Sequence, residues 1–160
     1  MNKKILKILE NDANTPLEQI ALLADISFEE AAAEIEKMYK EKILLGNKAI
    51  INWEKAQSDL VTAIIELNVT PQRGEGFDKI AERIYKFPQV KTLYLIAGSS
   101  DLTVIIEGKT MNEVAMFVAK RLAPMEFVIN TSTHFVLKTY KYEGFAFDDD
   151  ETDTREVITI

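Results

Sequence analysis

The feature that most constrains the fold is a pair of helix-start signals separated by a short turn. Residues 15–18 read Thr-Pro-Leu-Glu and residues 27–30 read Ser-Phe-Glu-Glu, so each segment places a hydroxyl at a helix N-cap and a glutamate three residues later. This spacing predicts a reciprocal capping box at the start of each helix. With residues 23–26 as the turn, the pair predicts a helix-turn-helix, whose second helix normally enters the major groove of DNA.

Helical spacing of apolar residues extends this motif into a first domain over residues 1–52. A helix over residues 2–10 precedes the pair, and the last helix of the three spans residues 28–42. Residues 43–52 predict two short strands around Gly46-Asn47, which would complete a winged helix-turn-helix. The side chains expected in the core are Leu17, Ile20, Ala21, Leu23, Ala24, Ala31 or Ala32, Ile35, Met38 and Tyr39.

The outward face of the last helix of this domain is acidic, which argues against strong DNA binding. Residues 1–59 carry 8 lysines against 11 acidic residues, a net charge of −3. Because affinity for nucleic acid comes mostly from phosphate neutralisation, we expect weak, salt-sensitive or assembly-dependent binding. For each lysine a solvated helix face is the alternative interpretation, with Glu36 and Lys40 as an i,i+4 pair. The candidate DNA-binding residues are Ser27, Glu29, Glu30, Ala33, Lys37, Lys40 and Lys48.

A second domain over residues 60–142 follows a polar linker at residues 53–59. The pattern predicts strands over residues 60–69, 90–97, 102–107 and 126–140, and helices over residues 77–87 and 111–122. Thr110 and Glu113 cap the second of these helices. The order strand, helix, strand, strand, helix, strand is the ferredoxin-like βαββαβ arrangement, so the whole chain is of the α+β class.

Two strands of this domain are apolar at both alternating positions. Residues 93–97 and 104–106 read Leu-Tyr-Leu-Ile-Ala and Val-Ile-Ile, which predicts burial of both sheet faces. Two helices cover only one face. We therefore expect a second copy of the chain to cover the other, making a homodimer. The alternative is that the acidic tail at residues 143–160, or its end at residues 157–160, covers that face.

Composition excludes several classes of protein. The chain has 160 residues and no cysteine, and it lacks both an apolar run of about 18 residues and a signal-peptide pattern, so we expect a cytoplasmic protein with no membrane contact. His134 is the only histidine and lies in an apolar strand, where a packed residue is the expected role. No nucleophile, base and acid arrangement is visible, so we expect neither an enzyme nor a metal or cofactor site.

The tail at residues 143–160 carries 7 acidic residues and one arginine, a net charge of −6. A disordered, solubilising segment is the simplest interpretation. A sharper one is that the tail competes with DNA for the few basic residues of the first domain. Deletion of residues 143–160 without any change in DNA affinity would exclude the competition.

The chain resembles the Lrp/AsnC, or feast/famine, family of prokaryotic transcription regulators. The resemblance covers residues 2 to about 140 and depends on the order of several motifs: residues 15–21, residues 26–27, Ile35, residues 43–46 and the Gly-x-x-Asp turn at residues 98–101. It implies a dimer that assembles into tetramers or octamers, binds double-stranded DNA through its N-terminal domains and senses an amino acid or related metabolite. In the last helix of the first domain the chain departs from the family, whose members usually have Arg or Lys where Glu34 and Glu36 stand.

The effector pocket that the resemblance implies lies where subunits meet, lined by the Gly-x-x-Asp turn and the last strand. Glycine allows close approach of the backbone, and Asp101 can pair with an ammonium group. A plain hairpin turn capped by Asp101 is the alternative. The candidate ligand-binding residues are Gly98, Ser99, Ser100 and Asp101 from the turn, and Leu95, Thr133, Phe135 and Val136 by position.

The alternative function is an oligomeric ligand-binding module that has lost DNA binding and acts through a protein partner.

Overall fold

The computed structural model describes residues 2–71 and 76–147. The chain divides into two compact units, Met1–Ala49 and Ile50–Ile160. The acidic run at residues 148–153 and the end at residues 157–160 lie outside the described residues. Both the idea that the tail covers the sheet and the idea that it competes with DNA therefore stay predictions.

The first unit is built from three helices, α1 (Lys3–Asn11), α2 (Leu17–Ala24) and α3 (Phe28–Lys40). Their apolar stripes meet in one cluster around Ile5, Ile20 and Met38, each at most 2% exposed, with Ala24 beside them. A helix with one apolar stripe is stable only when that stripe is buried against its neighbours. The two-helix motif predicted over α2 and α3 is therefore confirmed.

The two predicted capping boxes have different outcomes. At α3 the box is present, since Ser27 Oγ accepts from the Glu30 N–H at 3.1 Å and Glu30 Oε2 accepts from the Ser27 N–H at 2.9 Å. At α2 the prediction was wrong, because Pro16 is the N-cap and makes no side-chain cap. The Thr15 hydroxyl instead donates to the Asp12 carbonyl at 2.7 Å, so it is committed to the preceding turn.

The turn between α2 and α3 is shorter than predicted. Helix α2 continues to Ala24, and the chain reverses at Asp25, which has a φ of 58°. An aspartate tolerates this left-handed conformation better than most residues, because its short polar side chain can hydrogen-bond locally. The turn thus comprises residues 25–27 rather than residues 23–26.

Two residues expected in the core of the first unit are exposed. Leu23 is 54% exposed and Tyr39 is 43% exposed. Each directly adjoins a buried residue, Ala24 or Met38, and is rotated from it by about 100° around the helix axis. The alternative left open between Ala31 and Ala32 is resolved in favour of Ala31, which is fully buried.

The two strands predicted over residues 43–52 are absent, although the structure describes all of these residues. Helix α3 ends at Lys40 rather than at residue 42, and Lys42 has a φ of 56°. The N–H groups of Ile43 and Leu44 then donate to the Met38 carbonyl, at 2.8 and 3.2 Å. These donors satisfy the end of α3, so they cannot form a strand ladder.

The second unit contains the predicted βαββαβ order. Its sheet is fully antiparallel with strand order β2-β3-β1-β4, which confirms the ferredoxin-like α+β fold. Helix α5 continues into a π-helical turn, Val118–Leu122. The elements are β1 (Val61–Val69), α4 (Gly76–Tyr85), β2 (Val90–Leu95), β3 (Leu102–Gly108), α5 (Met111–Phe117) and β4 (Val128–Phe135).

The last strand is shorter than the predicted span of residues 126–140. After β4 the Val136 N–H still donates to the Thr62 carbonyl, and the chain then leaves the sheet. It forms a separate hairpin from β5 (Lys141–Tyr142) and β6 (Phe145–Ala146), which turns at residues 143 and 144 with φ values of 47° and 88°. Residues 145–146, which the sequence analysis assigns to the tail, are thus paired with β5.

The two faces of the sheet differ in polarity. One side of β1 and β3 is almost fully buried beneath the helices, with Ile65, Leu67 and Val104 at 0% exposure. The opposite side, which we call the open face, was expected to be apolar, and this is true only in part. It presents Ile64, Ile105 and Tyr94 among the polar side chains of Thr62, Glu66, Asn68, Thr92, Thr103, Glu107, Asn130, Ser132 and His134.

Candidate functional site

The exposed face of α3 presents the residues predicted to meet DNA. Ser27 begins the helix, and the following candidates on α3 point away from the buried Ala31 and Met38. Those exposed side chains are Glu29, Glu30, Ala33, Lys37 and Lys40. Lys48 is exposed in the segment after α3.

Two of these candidates are occupied by the helix cap. Ser27 Oγ and the Glu30 carboxylate hydrogen-bond to each other's backbone N–H groups. These bonds satisfy donors that the start of a helix would otherwise leave unpaired. We conclude that the box fixes the orientation of Ser27 and Glu30 at the start of α3. The Ser27 O–H and Glu30 Oε1 are not used by the box, so the contact of these two residues with DNA stays a prediction.

The lysines of α3 are paired with glutamates one turn away, Glu36 within the helix and Glu41 at its C-cap. Lys40 Nζ lies 2.7 Å from Glu36 Oε1, and Lys37 Nζ lies 4.0 Å from Glu41 Oε1. The hydrogen bond from Lys40 lowers the pKa of the Glu36 carboxyl. This arrangement is the solvated i,i+4 pairing named as the alternative. Exposed pairs of this kind are weak, so a phosphate can displace the glutamate at little cost.

Three lysines that the sequence analysis did not single out are also exposed. Lys3, Lys4 and Lys7 lie on the polar side of α1, opposite the buried Ile5. Because they precede the helix-turn-helix, motif-based reasoning passed over them. The sequence indicated them only through charge, because the first eight residues contain three lysines and no acidic residue.

The Gly-x-x-Asp turn is anchored to the end of β1. Asp101 Oδ2 accepts from the Val69 N–H at 2.8 Å, and the Asp101 N–H donates to the Leu67 carbonyl at 2.9 Å. Asn68 Nδ2 donates to the Ser99 carbonyl at 3.0 Å, beside a register shift in the pairing of β1 with β4. At least one oxygen of Asp101 thus serves the turn itself, as the plain-turn alternative expects.

Two features of the turn are not explained by its own packing. Ser100 is 5% exposed, and its Oγ has no hydrogen-bond partner among the described residues. A buried hydroxyl without a partner costs free energy, so such groups usually serve a contact. A Cβ built on Gly98 would meet nothing within 4 Å, and its φ is not in the left-handed region. Neither strain nor crowding inside the chain therefore requires a glycine at position 98.

The remaining ligand candidates lie at different places in the sheet. Leu95 is 59% exposed at the end of the edge strand β2, next to the turn. Thr133 and Phe135 lie on the opposite edge strand, β4, and Phe135 packs against the helix-covered core. Phe135 pairs with Ala63, five residues along β1 from Asn68, so it and Val136 are on the order of 16 Å from the turn. A single subunit does not gather these residues into one pocket.

A histidine and a glutamate lie next to each other on the open face. His134 Nε2 is 3.6 Å from Glu66 Oε2 and 3.2 Å from Ser132 Oγ. The pairing of Glu66 in β1 with Ser132 in β4 puts the groups side by side, which the sequence alone did not reveal. His134, expected to be a packed residue, has a side chain that is 56% exposed in the single chain.

Within residues 2–71 and 76–147, no three His, Cys, Asp or Glu side chains converge as metal ligands would. In the same part of the chain, every helix is too short or too polar to traverse a lipid bilayer.

Comparison with known proteins gives one consistent result. The family model described as the Lrp/AsnC ligand binding domain matches residues 62–144. The HTH-type transcriptional regulator YugG of Bacillus subtilis is 43% identical over 157 residues, which cover 98% of this chain and 95% of YugG.

Solved structures agree with this fold. The leucine response regulatory protein LrpA of Mycobacterium tuberculosis superposes with a TM-score of 0.74 at 17% identity, covering 89% of this chain and 94% of that one. A transcriptional regulator of Neisseria meningitidis, solved as a complex with L-Met, superposes with a TM-score of 0.68 at 20% identity, covering 88% and 90% of the two chains.

Proposed function

Because the chain belongs to the Lrp/AsnC family of transcriptional regulators, we propose that it binds duplex DNA through α2 and α3 and an amino acid through a dimeric C-terminal unit. The observation that carries the proposal is that one chain contains both a capped helix-turn-helix and a Gly-x-x-Asp turn. In that turn the buried Ser100 hydroxyl has no hydrogen-bond partner among residues 2–71 and 76–147. A regulator works where the DNA is, so the proposal places the protein in the cytoplasm.

The effector half of the proposal depends on the turn at residues 98–101. Gly98 leaves room for a ligand backbone, and Ser100 offers a hydroxyl. The carboxylate of Asp101 can accept a hydrogen bond from an ammonium group while its Oδ2 still accepts from the Val69 N–H. These are the groups that an α-amino acid requires: a negative charge for its ammonium and a donor for its carboxylate. The relative from Neisseria meningitidis was solved with L-Met, which makes apolar amino acids the first effectors to test.

Calorimetry with each of the twenty amino acids tests this half. We expect binding of at least one by the full-length protein, weakened about tenfold or more by Asp101→Asn and by Ser100→Ala. Asp59→Asn is the matched control, because it removes an exposed carboxylate outside the turn. Heat with none of the twenty would leave the plain-turn interpretation. Unchanged affinity in Asp101→Asn would remove Asp101 from the site.

The dimeric half of the proposal depends on the open face. Ile64, Ile105 and Tyr94 form an apolar centre there, and the polar residues around them resemble the rim of an ordinary protein interface. Of the candidates on or after β4, Val136 is bonded to Thr62 and so lies on the open face, where a second copy can bring it to a turn. Thr133 and Phe135 pair with the buried Ile65 and Ala63, so they face the helix layer and a copy on the open face does not reach them.

Sedimentation tests the dimer. At micromolar concentration we expect species of at least twice the 18.2 kDa chain mass, with tetramers or octamers as the larger assemblies. Ile105→Lys should shift the distribution towards monomer, since it places a charge in the apolar centre. Met116→Lys is the control, because Met116 is exposed on α5 in the helix layer. A monomer at every concentration would reject the dimer.

DNA binding is expected to be weak in each subunit and to gain from several subunits acting together. To bind phosphate, Lys40 must give up its ion pair with Glu36, and Lys37 must give up its ion pair with Glu41. Lys42 and Lys48 are exposed and make no ion pair within the described residues. Linking several weak sites in one assembly raises the overall affinity without new contacts. In gel shifts, Lys48→Ala should lower the salt slope by about 0.9 per subunit that contacts DNA.

The second candidate function is a ligand-binding oligomer that acts through a protein partner. Two observations favour it: the ion-paired lysines of α3, and the exposure of Leu22 and Leu45, at 79% and 85%, on the helix-turn-helix unit. Glu36→Gln separates the two functions, since it removes the negative charge that pairs with Lys40 at an exposed position. If even this variant fails to shift any duplex at about 50 mM salt, where phosphate contacts are strong, the second function is favoured.

A further inference from the structure

The first turn of α3 contains an exposed charged side chain, Glu29, whose role within the chain is limited to the favourable interaction of its charge with the helix dipole. Glu29 is exposed and makes neither a hydrogen bond nor an ion pair within the described residues. Its neighbours on the same helix are all engaged: Glu30 closes the cap, Glu34 accepts from the Asn2 N–H, and Glu36 pairs with Lys40. The carboxylate of Glu29 is therefore accessible to a group outside the chain.

The position of Glu29 matches that of base-contacting residues. In a helix-turn-helix the N-terminal residues of the second helix reach the base edges in the major groove. Ala33 lies one turn further along the same exposed face, with its Cβ about 6 Å from that of Glu29. Because successive base pairs are about 3.4 Å apart, these two side chains reach base pairs one or two steps from each other.

The chemistry of the two side chains restricts the bases that they accept. A carboxylate is repelled by phosphates and needs a donor, and the major-groove edge of cytosine offers the N4 amino group as its hydrogen-bonding group. Adenine also has an amino group, but its N7 acceptor lies beside it; guanine and thymine present acceptors. A methyl group such as that of Ala33 packs best on the C5 methyl of thymine.

We infer that Glu29 is a specificity-determining residue that selects cytosine, with Ala33 packing on a thymine one or two base pairs away. This inference rests on the proposed DNA-binding function and adds the bases that each half-site must contain. The negative charge of Glu29 lowers affinity for every duplex, so its benefit lies in discrimination. The closed cap at Ser27 and Glu30 holds the first turn of α3 in place and so limits how far Glu29 can move.

Selection from a pool of duplexes with a randomised core tests the inference. The full-length protein is used at about 50 mM salt, where phosphate contacts are strongest. Wild type should enrich cytosine about tenfold over the other bases at one position. Glu29→Gln should lose this enrichment in favour of adenine, which glutamine bonds through N6 and N7, and should bind unselected duplexes more tightly.

Glu18→Gln is the matched control for charge. Glu18 is exposed in the first turn of α2, so this variant removes the same charge outside α3 and should keep the cytosine preference. The contact of Ala33 is tested on the DNA, by replacing the selected thymine with uracil. Loss of the C5 methyl should weaken binding by wild type several-fold.

Three results would overturn all or part of the inference. If Glu29→Gln and wild type select the same sequences, Glu29 does not read a base, and the proposed DNA-binding function stands. If neither wild type nor any variant retains a duplex, the inference and the DNA-binding function fail together. An unchanged affinity for the uracil duplex would remove Ala33 from the reading face.

Discussion

Truncation of Asp101 should destabilise the C-terminal unit more than neutralisation of its charge does. Oδ2 of Asp101 accepts from the Val69 N–H at 2.8 Å, and Val69 is only 5% exposed, so water has little access when the carboxylate is removed. Leaving a buried N–H without a partner costs about 1–3 kcal/mol, which is the expected loss in Asp101→Ala. Asp101→Asn keeps an oxygen in place and loses only the charge assistance, so we expect about 0.5–1 kcal/mol.

Urea denaturation followed by far-UV circular dichroism measures both variants. The midpoint should fall further for Asp101→Ala than for Asp101→Asn while the slope stays constant, because the surface exposed on unfolding does not change. Asp59→Ala, which removes an exposed carboxylate, should stay within about 0.5 kcal/mol of wild type. Equal stabilities of Asp101→Ala and Asp101→Asn would show that the bond to Val69 does not hold the turn, and would refute this reasoning.

Three further predictions concern the cap, an ion pair and the core. Ser27→Ala should cost about 1 kcal/mol of unfolding free energy by removing the acceptor of the Glu30 N–H, and a negligible loss in denaturation would mean that the cap is open in solution. Lys86→Gln should raise the pKa of Glu82 towards its ordinary value, because the hydrogen bond and charge of Lys86 lower it. Since the pKa of Glu82 is lowered in the folded state, this stabilisation is present at neutral pH and is lost as the pH falls through the folded-state pKa. An NMR titration that gives the same Glu82 pKa in both proteins would contradict the pairing. Leu67→Ala should cost about 2–5 kcal/mol because Leu67 is fully buried, whereas Leu137→Ala, at 88% exposure, should stay near wild type in the same denaturation assay.

Elements that depend on local chemistry were predictable from the sequence. The cap at Ser27 requires only a serine and a glutamate three residues apart, and β1 and β3 contain enough β-branched residues to be read as strands. The same reasoning failed at Thr15, where an equally good spacing lost to a competing acceptor, the Asp12 carbonyl. It failed again after α3, where backbone donors of residues 43 and 44 stay with the end of the helix instead of pairing as strands.

The sequence by itself determined which elements form and in what order, because caps, apolar periodicity and turn residues act over a few neighbouring positions. Only the tertiary structure decided which partner each polar group takes. Strand pairing set Glu66 beside His134, brought Asp101 to the Val69 N–H, and separated Phe135 from the turn at residues 98–101. These contacts join residues more than thirty positions apart in the chain, so they depend on sheet register, which no local pattern encodes.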